Sequence, residues 1–326
     1  MINGKIKLLL GFCMVLSTHG FAYAKRVVVA QDGSGNYKTV QAAFDAVQAG
    51  NKQPVEIFIK KGVYHEALNL AKGKDFVTLV GEDRAQTILT YNNHTGIITP
   101  KGDTINTYTS ASFFIYADNF KAVNISFRND AGFTAGQAVA VFAYGDKLVF
   151  DRCNFTGFQD VLFCSGAGSR QYYRDCYIEG TTDFIFGPAT AVFQSCHIHS
   201  KKNSHVTAAS TPQNVAYGFV FFDCTLTADA GINKVSLGRP WKPYASVTYI
   251  RCNIGAHIIP EGWNNWKNPA NETTARYAEY QCTGPGAKTA GRVKWARQLT
   301  DAEAKNYTIK NILGGKDHWN PLKNLK

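Results

Sequence analysis

Short apolar runs recur along the chain, and each has the form aromatic-x-x-Cys-x-apolar, in which x is any residue. The cysteines of successive runs are 23, 20, 28 and 28 residues apart. A period of this length is typical of solenoids, in which each repeat buries its apolar face on the next. Residues 120–125 resemble an earlier copy, with Val123 in the cysteine position. The five complete runs are residues 150–155, 173–178, 193–198, 221–226 and 249–254.

The residues between these cysteines favour strands over helices. Apolar side chains alternate there, and Thr, Val, Tyr and Phe, which suit extended backbone, predominate. Gly, Asn and Asp separate the short strands and supply the turns. We therefore predict an all-β protein whose coils form a right-handed parallel β-helix. A β-sandwich is the alternative, but it does not explain why cysteine recurs at the same place in each repeat and glycine in two of them.

A short helix is predicted near the start of this solenoid. In residues 39–49 the side chains of Val40, Ala43, Phe44 and Val47 lie on one helical face, and Gly50 ends the segment. We expect this helix to cap the open end of the solenoid, because a terminal coil would otherwise expose its core. The first strands are predicted at residues 55–59 and 76–80, and the polar residues 295–326 are expected to pack alongside the coils.

The first 24 residues are predicted to be a signal peptide and not part of the fold. Lys5 and Lys7 precede an apolar stretch at residues 8–16, and Ala22 and Ala24 form a small-x-small cleavage site. That stretch is too short to cross a membrane. The expected organisation is a signal peptide at residues 1–24 and a single parallel β-helix catalytic domain at residues 25–326. Such a protein is secreted to the extracellular space or, from a Gram-negative source, to the periplasm.

Secretion changes the interpretation of the cysteines, because oxidising compartments allow disulfides. Seven cysteines follow Cys13, which is an odd number. Cys176 and Cys196 are register partners on consecutive coils, so we predict a disulfide between them; Cys224 and Cys252 are a second candidate pair. The alternative is that these side chains are buried as small apolar groups. The sequence has no Cys-x-x-Cys pair, which leaves a zinc site without support.

The charge of the chain bears on its partner. The formal net charge is +11, or +9 without Lys5 and Lys7. A basic surface concentrates anionic polymers. Nucleic acid is not the expected partner, because the chain has neither a run of Lys and Arg nor a recognition helix. An acidic polysaccharide fits a secreted protein better, and solubility alone is the other explanation of the charge.

Two aspartates occupy the same position in neighbouring repeats. Asp160 and Asp183 each lie seven residues after the cysteine of their repeat, and Gly157 and Gly180 each lie four residues after it. On adjacent parallel strands the two aspartates would be roughly 4.7–4.9 Å apart in backbone. Like charges at that range oppose each other, so the pair does not serve stability. The two carboxyl groups are therefore predicted to carry chemistry.

Four segments resemble the signature blocks of the pectin methylesterase family. They are Gln-Ala-Val-Ala at residues 137–140, Gly-Phe-Gln-Asp at 157–160, Gly-Thr-Thr-Asp-Phe-Ile-Phe-Gly at 180–187 and Leu-Gly-Arg-Pro-Trp at 237–241. Residues 32–40, 62–66, 277–280 and 291–295 are also similar to that family, and the resemblance extends from about residue 27 to about residue 313. It implies a right-handed parallel β-helix, in agreement with the repeats.

The resemblance also implies a role for each residue of the site. Asp183 would attack the carbonyl carbon of a galacturonate methyl ester, and Arg239 would orient it and keep it ionised. Asp160, with a raised pKa, would protonate the methoxyl group that leaves and later accept a proton from water. Gln137 and Gln159 would hold the oxyanion through their amide N–H groups.

Substrate and partners follow from the same resemblance. Trp241, Phe158 and Phe186 would offer apolar faces to the sugar rings of methylated homogalacturonan (pectin). The products would be methanol and demethylated pectin, with no cofactor and no metal. We expect a monomer that binds neither nucleic acid nor, after signal cleavage, a membrane. A proteinaceous inhibitor is a further candidate partner.

Other functions were weighed against this one. A polygalacturonase-like glycosidase would also be a secreted β-helix with paired acids, and retaining glycosidases hold theirs about 5–5.5 Å apart. A pectate lyase would need an acidic calcium cluster, which the sequence does not show. A non-catalytic pectin-binding relative would be expected to lose part of the site, which is intact here. His197 and His199 alternate on one predicted strand, but no carboxylate lies at a spacing that would complete a metal site.

Overall fold

The computed structural model of the chain describes Met1 and residues 25–324. The predicted signal peptide therefore lies, apart from Met1, outside the described residues and stays a prediction. The described residues form twenty-six strands. They are β1 (Lys25–Val29), β2 (Val55–Ile59), β3 (Gly62–His65), β4 (Leu68–Leu70), β5 (Val77–Gly81), β6 (Thr87–Tyr91), β7 (Phe113–Ile115), β8 (Lys121–Val123), β9 (Ser126–Asn129), β10 (Val141–Ala143), β11 (Leu148–Asp151), β12 (Asn154–Thr156), β13 (Leu162–Cys164), β14 (Arg170–Arg174), β15 (Tyr177–Gly180), β16 (Ile185–Gly187), β17 (Thr190–Gln194), β18 (His197–Ser200), β19 (His205–Ala209), β20 (Phe219–Phe222), β21 (Thr225–Ala228), β22 (Ser236–Pro240), β23 (Ser246–Ile250), β24 (Asn253–Ile254), β25 (Arg276–Tyr280) and β26 (Arg297–Gln298).

Helices occur only at the two ends and between the last strands of the part that the structure describes. The four α-helices are α1 (Val40–Asp45), α2 (Asn271–Thr274), α3 (Asp301–Ala304) and α4 (Ile309–Leu313). Three short 3-10 helices lie at Pro285–Ala287, Thr289–Gly291 and Pro321–Asn324. None of the described helices is long and apolar enough to span a membrane.

The strands form three parallel sheets that together make a β-helix. Sheet 1 has the order β1-β2-β5-β8-β11-β14-β17-β20-β23-β25-β26, sheet 2 the order β22-β19-β16-β13-β10-β7-β4, and sheet 3 the order β24-β21-β18-β15-β12-β9-β6-β3. One coil runs from sheet 1 to sheet 3 to sheet 2, as β11, β12 and β13 do. This architecture confirms the predicted fold class, an all-β right-handed parallel β-helix.

The aromatic residue that opens each repeat builds the core. The rings of Phe150, Tyr173, Phe193, Phe221 and Tyr249 stack face to face through five consecutive coils, with centroids 4.9, 4.7, 4.6 and 4.4 Å apart. All five side chains are fully buried. Stacked rings bury a large apolar area at each step. The repeat seen in the sequence is therefore this column.

The residue before each cysteine turns the coil from sheet 1 into sheet 3. Arg152, Asp175, Ser195, Asp223 and Arg251 all have a left-handed backbone, with φ between 50° and 53°. A single left-handed residue turns the chain sharply, although it costs roughly 1–2 kcal/mol for a residue other than glycine. The same corner recurs in five coils, so it keeps the strands on both sides of it in register.

This corner corrects the alignment of the earliest repeat. Asn124 has φ 61° and occupies the corner, so Ile125 follows it where the later coils have cysteine. The ladder agrees, because Asn154 N donates to Ile125 O at 2.9 Å, as Tyr177 N does to Cys153 O at 3.0 Å. The prediction that Val123 takes the cysteine position was wrong by two residues. Both alignments place an apolar residue there, and the sequence pattern does not separate them.

The predicted disulfides are not formed. All seven cysteines of the described residues are free, including Cys176, Cys196, Cys224 and Cys252. Their thiols donate to backbone carbonyls instead: Cys176 Sγ lies 3.3 Å from Arg174 O, and Cys196 Sγ lies 3.5 Å from Gln194 O. The side chains point inward in one column and serve as small buried groups. In this structure the two thiols of the predicted Cys176–Cys196 bridge are free and pack as the alternative describes.

Helix α1 covers the first coils, as predicted, but it is shorter than expected. Thr39 Oγ1 accepts from Ala42 N at 3.2 Å and caps the start of the helix, and the Phe44 ring stacks on Phe113 with centroids 5.4 Å apart. The helix ends at Asp45 because the chain then turns toward the next coil, where Gly50 N donates to Gly73 O at 2.8 Å.

Residues 301–324, called the strap below, run back along the outer face of sheet 1. Ile312 and Leu313 are buried there in one cluster with Val149, Tyr172 and other apolar residues of that face. Arg170 holds the strap through Asp317, with Nη1 2.6 Å from Oδ1, and Lys147 Nζ lies 2.7 Å from the other carboxylate oxygen. The expectation that the C-terminal residues pack alongside the coils is confirmed for residues 301–324.

Candidate active site

The predicted site residues meet at the edge of sheet 2 where each coil enters it. Gln137 precedes β10, Asp160 precedes β13, and Asp183 precedes β16. Gln137 and Gln159 pair through a parallel bridge, and Asp160 N donates to Thr182 O at 3.1 Å. The β13–β16 register then places Asp160 and Asp183 opposite each other. The two aspartates therefore lie on adjacent coils, as the repeat predicted.

Both aspartates occupy a second set of left-handed corners. Asp160 has φ 64° and Asp183 has φ 51°. Aspartate tolerates this backbone better than most residues do. The corner before Asp183 is tight, because a Cβ on Gly180 would lie 2.6 Å from Phe158 O. This close approach of two coils explains Gly180, whereas a Cβ on Gly157 would first meet the Val161 side chain, at 3.1 Å.

Arg239, which lies in β22, holds Asp183 with two parallel hydrogen bonds. Its Nε donates to Asp183 Oδ1 at 3.0 Å and its Nη2 donates to Oδ2 at 2.7 Å. The guanidinium also lies 3.6 Å from the ring centroid of Trp266. A bidentate pair stacked on an aromatic ring fixes the orientation of the carboxylate.

The two carboxyl groups titrate differently because their surroundings differ. Burial raises the pKa of Asp160 well above its usual range, and the neighbouring charge of Asp183 adds to that rise, while Arg239 and a hydrogen bond from Gln159 oppose it. Burial also raises the pKa of Asp183, but its hydrogen bonds with Arg239 offset part of that effect. Arg239 lowers the pKa of Asp183, but burial raises that pKa by more. Asp183 still ionises before Asp160.

A cavity of about 190 Å³ contains both carboxyl groups. All five predicted catalytic residues, including Arg239, line it, and so do the predicted substrate-binding residues Phe186 and Trp241. The complete lining is Thr107, Gln137, Gln159, Asp160, Asp183, Phe186, Ala208, Arg239, Trp241 and Trp266. One concave site therefore combines an oriented carboxylate, a carboxyl group with a raised pKa and amide donors.

Aromatic rings form the wall of this cavity. Phe186 stacks on Phe163 with centroids 4.2 Å apart, and Trp241 packs edge-on against Phe186 at 5.9 Å. Tyr108 lies 6.4 Å from Trp241 and is 54% exposed. Exposed ring faces beside polar groups are suited to sugar rings, which present apolar C–H faces of their own.

Phe158 lies at the corner beside the cavity and not in its lining. Its ring meets Phe133 at 5.7 Å, and Lys201 Nζ lies 4.8 Å from its centroid. Phe133 is 52% exposed. The predicted contact between Phe158 and substrate has no counterpart in the cavity and stays a prediction.

Sequence reasoning missed Thr107, Tyr108 and Trp266. They lie in long connections between strands, where the repeat gives no position for a side chain. Trp266 has φ 60°, an unusual backbone for a bulky residue, and such strain is found most often at functional sites. The local signal is Asn264, whose Oδ1 accepts from Trp266 N at 2.8 Å and closes the turn.

His197 and His199 form a hydrogen-bonded group on sheet 3. Both rings lie within hydrogen-bond distance of Thr227 Oγ1, at 2.6 and 2.7 Å, and His199 Nε2 lies 2.9 Å from Asp229 Oδ1. The sequence analysis did not identify this carboxylate because it comes from the next coil. Across residues 25–324, no group of three or more His, Cys, Asp or Glu side chains could hold a metal ion.

Known proteins resemble this chain along most of its length. The family profile described as pectinesterase matches residues 26–316. Pectinesterase 31 of Arabidopsis thaliana is 38% identical over 291 residues, which are 88% of this chain and 91% of that protein. Two further relatives, each 39% identical, are longer, and the chain covers 53% and 59% of their lengths.

Solved structures resemble it as well. A pectin methylesterase from carrot superposes with a TM-score of 0.83 at 35% sequence identity, over 89% of this chain and 93% of that one. A pectin methylesterase in complex with a hexasaccharide superposes with a TM-score of 0.81 at 29% identity, over 92% of this chain and 99% of that one. Sequence and fold therefore agree on one group of relatives.

Proposed function

The chain belongs to the pectinesterase family, whose members are carboxylic ester hydrolases, and we propose that it hydrolyses the methyl esters of galacturonate residues in pectin. Methanol and demethylated homogalacturonan are the products. The observation that carries this proposal is the pair of adjacent carboxyl groups with unequal surroundings. Asp183 is held by Arg239 and ionises first, while Asp160 keeps its proton to higher pH.

Attack by Asp183 begins the reaction. One carboxylate oxygen forms a bond to the ester carbonyl carbon, and the carbonyl π electrons move onto oxygen. Gln137 and Gln159 line the cavity and have amide N–H groups that suit this oxyanion. Arg239 keeps the attacking carboxylate oriented throughout this step.

Asp160 completes the first half of the reaction. Its proton passes to the methoxyl oxygen as the carbon–oxygen bond breaks, so that methanol leaves as a neutral molecule. The galacturonate acyl group stays bound to Asp183 as an anhydride, and Asp160 is now ionised.

Water releases the product in the second half. Ionised Asp160 removes a proton from water while the water oxygen attacks the acyl carbon. The bond to Asp183 breaks, galacturonate leaves as its carboxylic acid and then gives that proton to solvent, and both aspartates regain their starting protonation. Microscopic reversibility requires one group to act first as acid and then as base, which suits a single carboxyl group with a raised pKa.

The cavity wall supports a polysaccharide substrate. Phe186 and Trp241 offer ring faces beside the two carboxyl groups, and Tyr108 extends that surface into solvent. The similarity to a pectin methylesterase with a bound hexasaccharide supports the same class of ligand. Secretion, a monomeric state and recognition by a proteinaceous inhibitor stay predictions.

Methanol release from highly methylated pectin tests the proposal, with polymer length followed in parallel. We expect methanol without chain cleavage, and loss of at least about 10³-fold in rate for Asp183→Asn, which retains shape but not nucleophilicity. Pectin binding by that variant should persist. Methanol release at a near-normal rate by Asp183→Asn would refute its role as nucleophile.

The same assay separates the alternatives. Chain cleavage without methanol would identify a glycosidase or a lyase. Binding of pectin with neither product, in folded protein, would identify a non-catalytic relative.

A further inference from the structure

One more titratable side chain lies in line with the two aspartates. Ile185 pairs with Leu162 on one side and with Thr207 on the other, so Asp160, Asp183 and His205 occupy equivalent positions in three consecutive coils. Asp183 N donates to His205 O at 2.8 Å. His205 therefore directly follows the proposed nucleophile along the axis of the β-helix.

Ser236 of the fourth coil fixes the imidazole. It pairs with His205 in the β19–β22 ladder, and its Oγ lies 2.7 Å from His205 Nδ1. Ser236 is 2% exposed, and its hydroxyl also reaches Gly238 O at 3.4 Å. A hydroxyl that donates to a carbonyl can accept from Nδ1–H, which selects the neutral tautomer with its proton on Nδ1.

The charges around His205 belong to the site itself. Asp183 at the start of β16 and Asp160 at the start of β13 precede it, and Arg239 crosses from β22 to Asp183. Burial lowers the pKa of His205 to about 4, and the positive charge of Arg239 acts in the same direction. At neutral pH the imidazole therefore adds no charge beside the carboxylate.

We infer that His205 is a positioning residue: held by Ser236 in the coil next to Asp183, its imidazole keeps that side of the Asp183–Arg239 pair free of a second cation. This inference rests on the proposed function. A cation at this place would stabilise the ionised form of both carboxyl groups. Asp160 would then lose its proton at a lower pH, and the acid that protonates the departing methoxyl oxygen would be lost with it.

Two substitutions of similar length separate charge from shape. His205→Gln retains a neutral N–H donor for Ser236, whereas His205→Lys retains a donor but adds a permanent positive charge. Methanol release from pectin is measured against pH for both. We expect His205→Gln to keep kcat within about threefold. For His205→Lys we expect kcat to fall about tenfold or more, and the alkaline limb to move about one pH unit lower.

A remote histidine provides the matched control. His318→Lys adds the same charge on the strap, and its alkaline limb should coincide with that of the parent. A merely structural role for His205 would lower the amount or the Tm of folded protein without moving the limb. Coincident limbs for parent and His205→Lys would overturn the inference.

Two further measurements keep the inference testable if His205→Lys fails to fold or the parent releases no methanol. Ser236→Ala frees the imidazole without changing charge, and kcat should fall with KM unchanged; an unchanged kcat counts against the role. A ¹³C NMR titration of labelled aspartates follows Asp160 without turnover, and its pKa should fall by about one unit in His205→Lys. A parent without methanol release contradicts the proposed function, whereas an unmoved Asp160 pKa contradicts only this inference.

Discussion

Asp160 and Asp183 are the same residue in the same backbone conformation, yet their carboxyl groups differ in what surrounds them. Arg239 donates two hydrogen bonds to Asp183, whereas Asp160 faces another carboxylate and an amide. Burial raises both pKa values, so the chemistry depends on the difference between them and not on either direction alone. One arginine placed asymmetrically gives two identical side chains the different surroundings that their proposed roles as nucleophile and acid require.

The raised pKa of Asp160 has a consequence for stability. A carboxyl group whose folded-state pKa exceeds its unfolded value binds its proton more tightly in the fold, so stability falls as pH rises above the unfolded value. Asp160→Asn removes that loss. We expect the variant to be inactive, yet its Tm at pH 7 should exceed that of the parent by about 2–6 °C, with almost no difference near pH 4.

Scanning calorimetry at both pH values measures this effect, and Asp183→Asn is its control. The control leaves the guanidinium of Arg239 without its carboxylate, so it should gain nothing and lose some stability. Equal Tm values for Asp160→Asn and the parent at pH 7 would show that ionisation of the buried Asp160 carboxyl does not destabilise the fold.

Counting along the repeat located some site residues and missed others. Asp160 and Asp183 lie seven residues after their cysteines, so the count found them. His205 holds the equivalent place in the next coil but lies nine residues after Cys196, because the corner is two residues longer. The role of Arg239 came from the family resemblance, since its long side chain reaches across two coils to Asp183.

At the scale of the element, the left-handed corners matter more than the strands they join. Most strands have three to five residues and could be shifted along the chain, whereas each corner fixes one residue at φ near 50°. The predicted strand at residues 76–80 illustrates this, because Phe76 has φ 59° and the strand starts at Val77. The alternation of apolar residues predicted where the strands lie, but it did not predict which residues between them have a left-handed backbone.

The corner at Ser195 offers a test. Ser195 is exposed and has φ 53°, so substitution changes the backbone preference and little else. We expect Ser195→Val to destabilise the fold by about 1–2 kcal/mol, because a β-branched side chain is strained in this conformation. Ser195→Gly should stay within about 0.5 kcal/mol of the parent. Denaturant unfolding of the two variants measures the difference.

Thr225→Val provides the comparison for this test. Thr225 is exposed in β21, where extended backbone suits valine, so its substitution should leave stability nearly unchanged. Equal losses for Ser195→Val and Thr225→Val would show that the corner conformation does not limit the choice of residue.

At the scale of the whole molecule, the repeat period and the family resemblance together predicted the solenoid, its capping helix and the packing of the C-terminal residues. The predicted disulfide is not shown, because register brings two thiols together without deciding whether they are oxidised, and here they donate to backbone carbonyls. The cavity wall was only partly predictable, since Trp266 reaches the site from a long connection whose path depends on tertiary contacts.

The net charge predicts how the enzyme responds to salt. Residues 25–326 carry a formal charge of +9, and demethylated stretches of pectin are anionic. Raising the ionic strength from about 0.05 M to about 0.5 M shortens the screening length to a few ångströms, so KM for partly demethylated pectin should rise several-fold with little change in kcat. Initial rates of methanol release give both constants.

Fully methylated oligomers are the control for the salt effect, because they carry almost no charge and their KM should stay constant. A KM for partly demethylated pectin that does not depend on salt would assign the positive charge to solubility alone.

The strap also changes how the molecule comes apart. In a stack whose coils contact only their neighbours, unfolding can begin at either end and proceed one coil at a time. Residues 301–324 begin beyond the last strand of sheet 1 but are fastened by Asp317 to Arg170 and Lys147, in coils near the middle. These ion pairs oppose local unfolding of the final coils. The strap therefore opposes unfolding from this end, and the half of the stack that carries the proposed nucleophile is stabilised by residues that do not contact it.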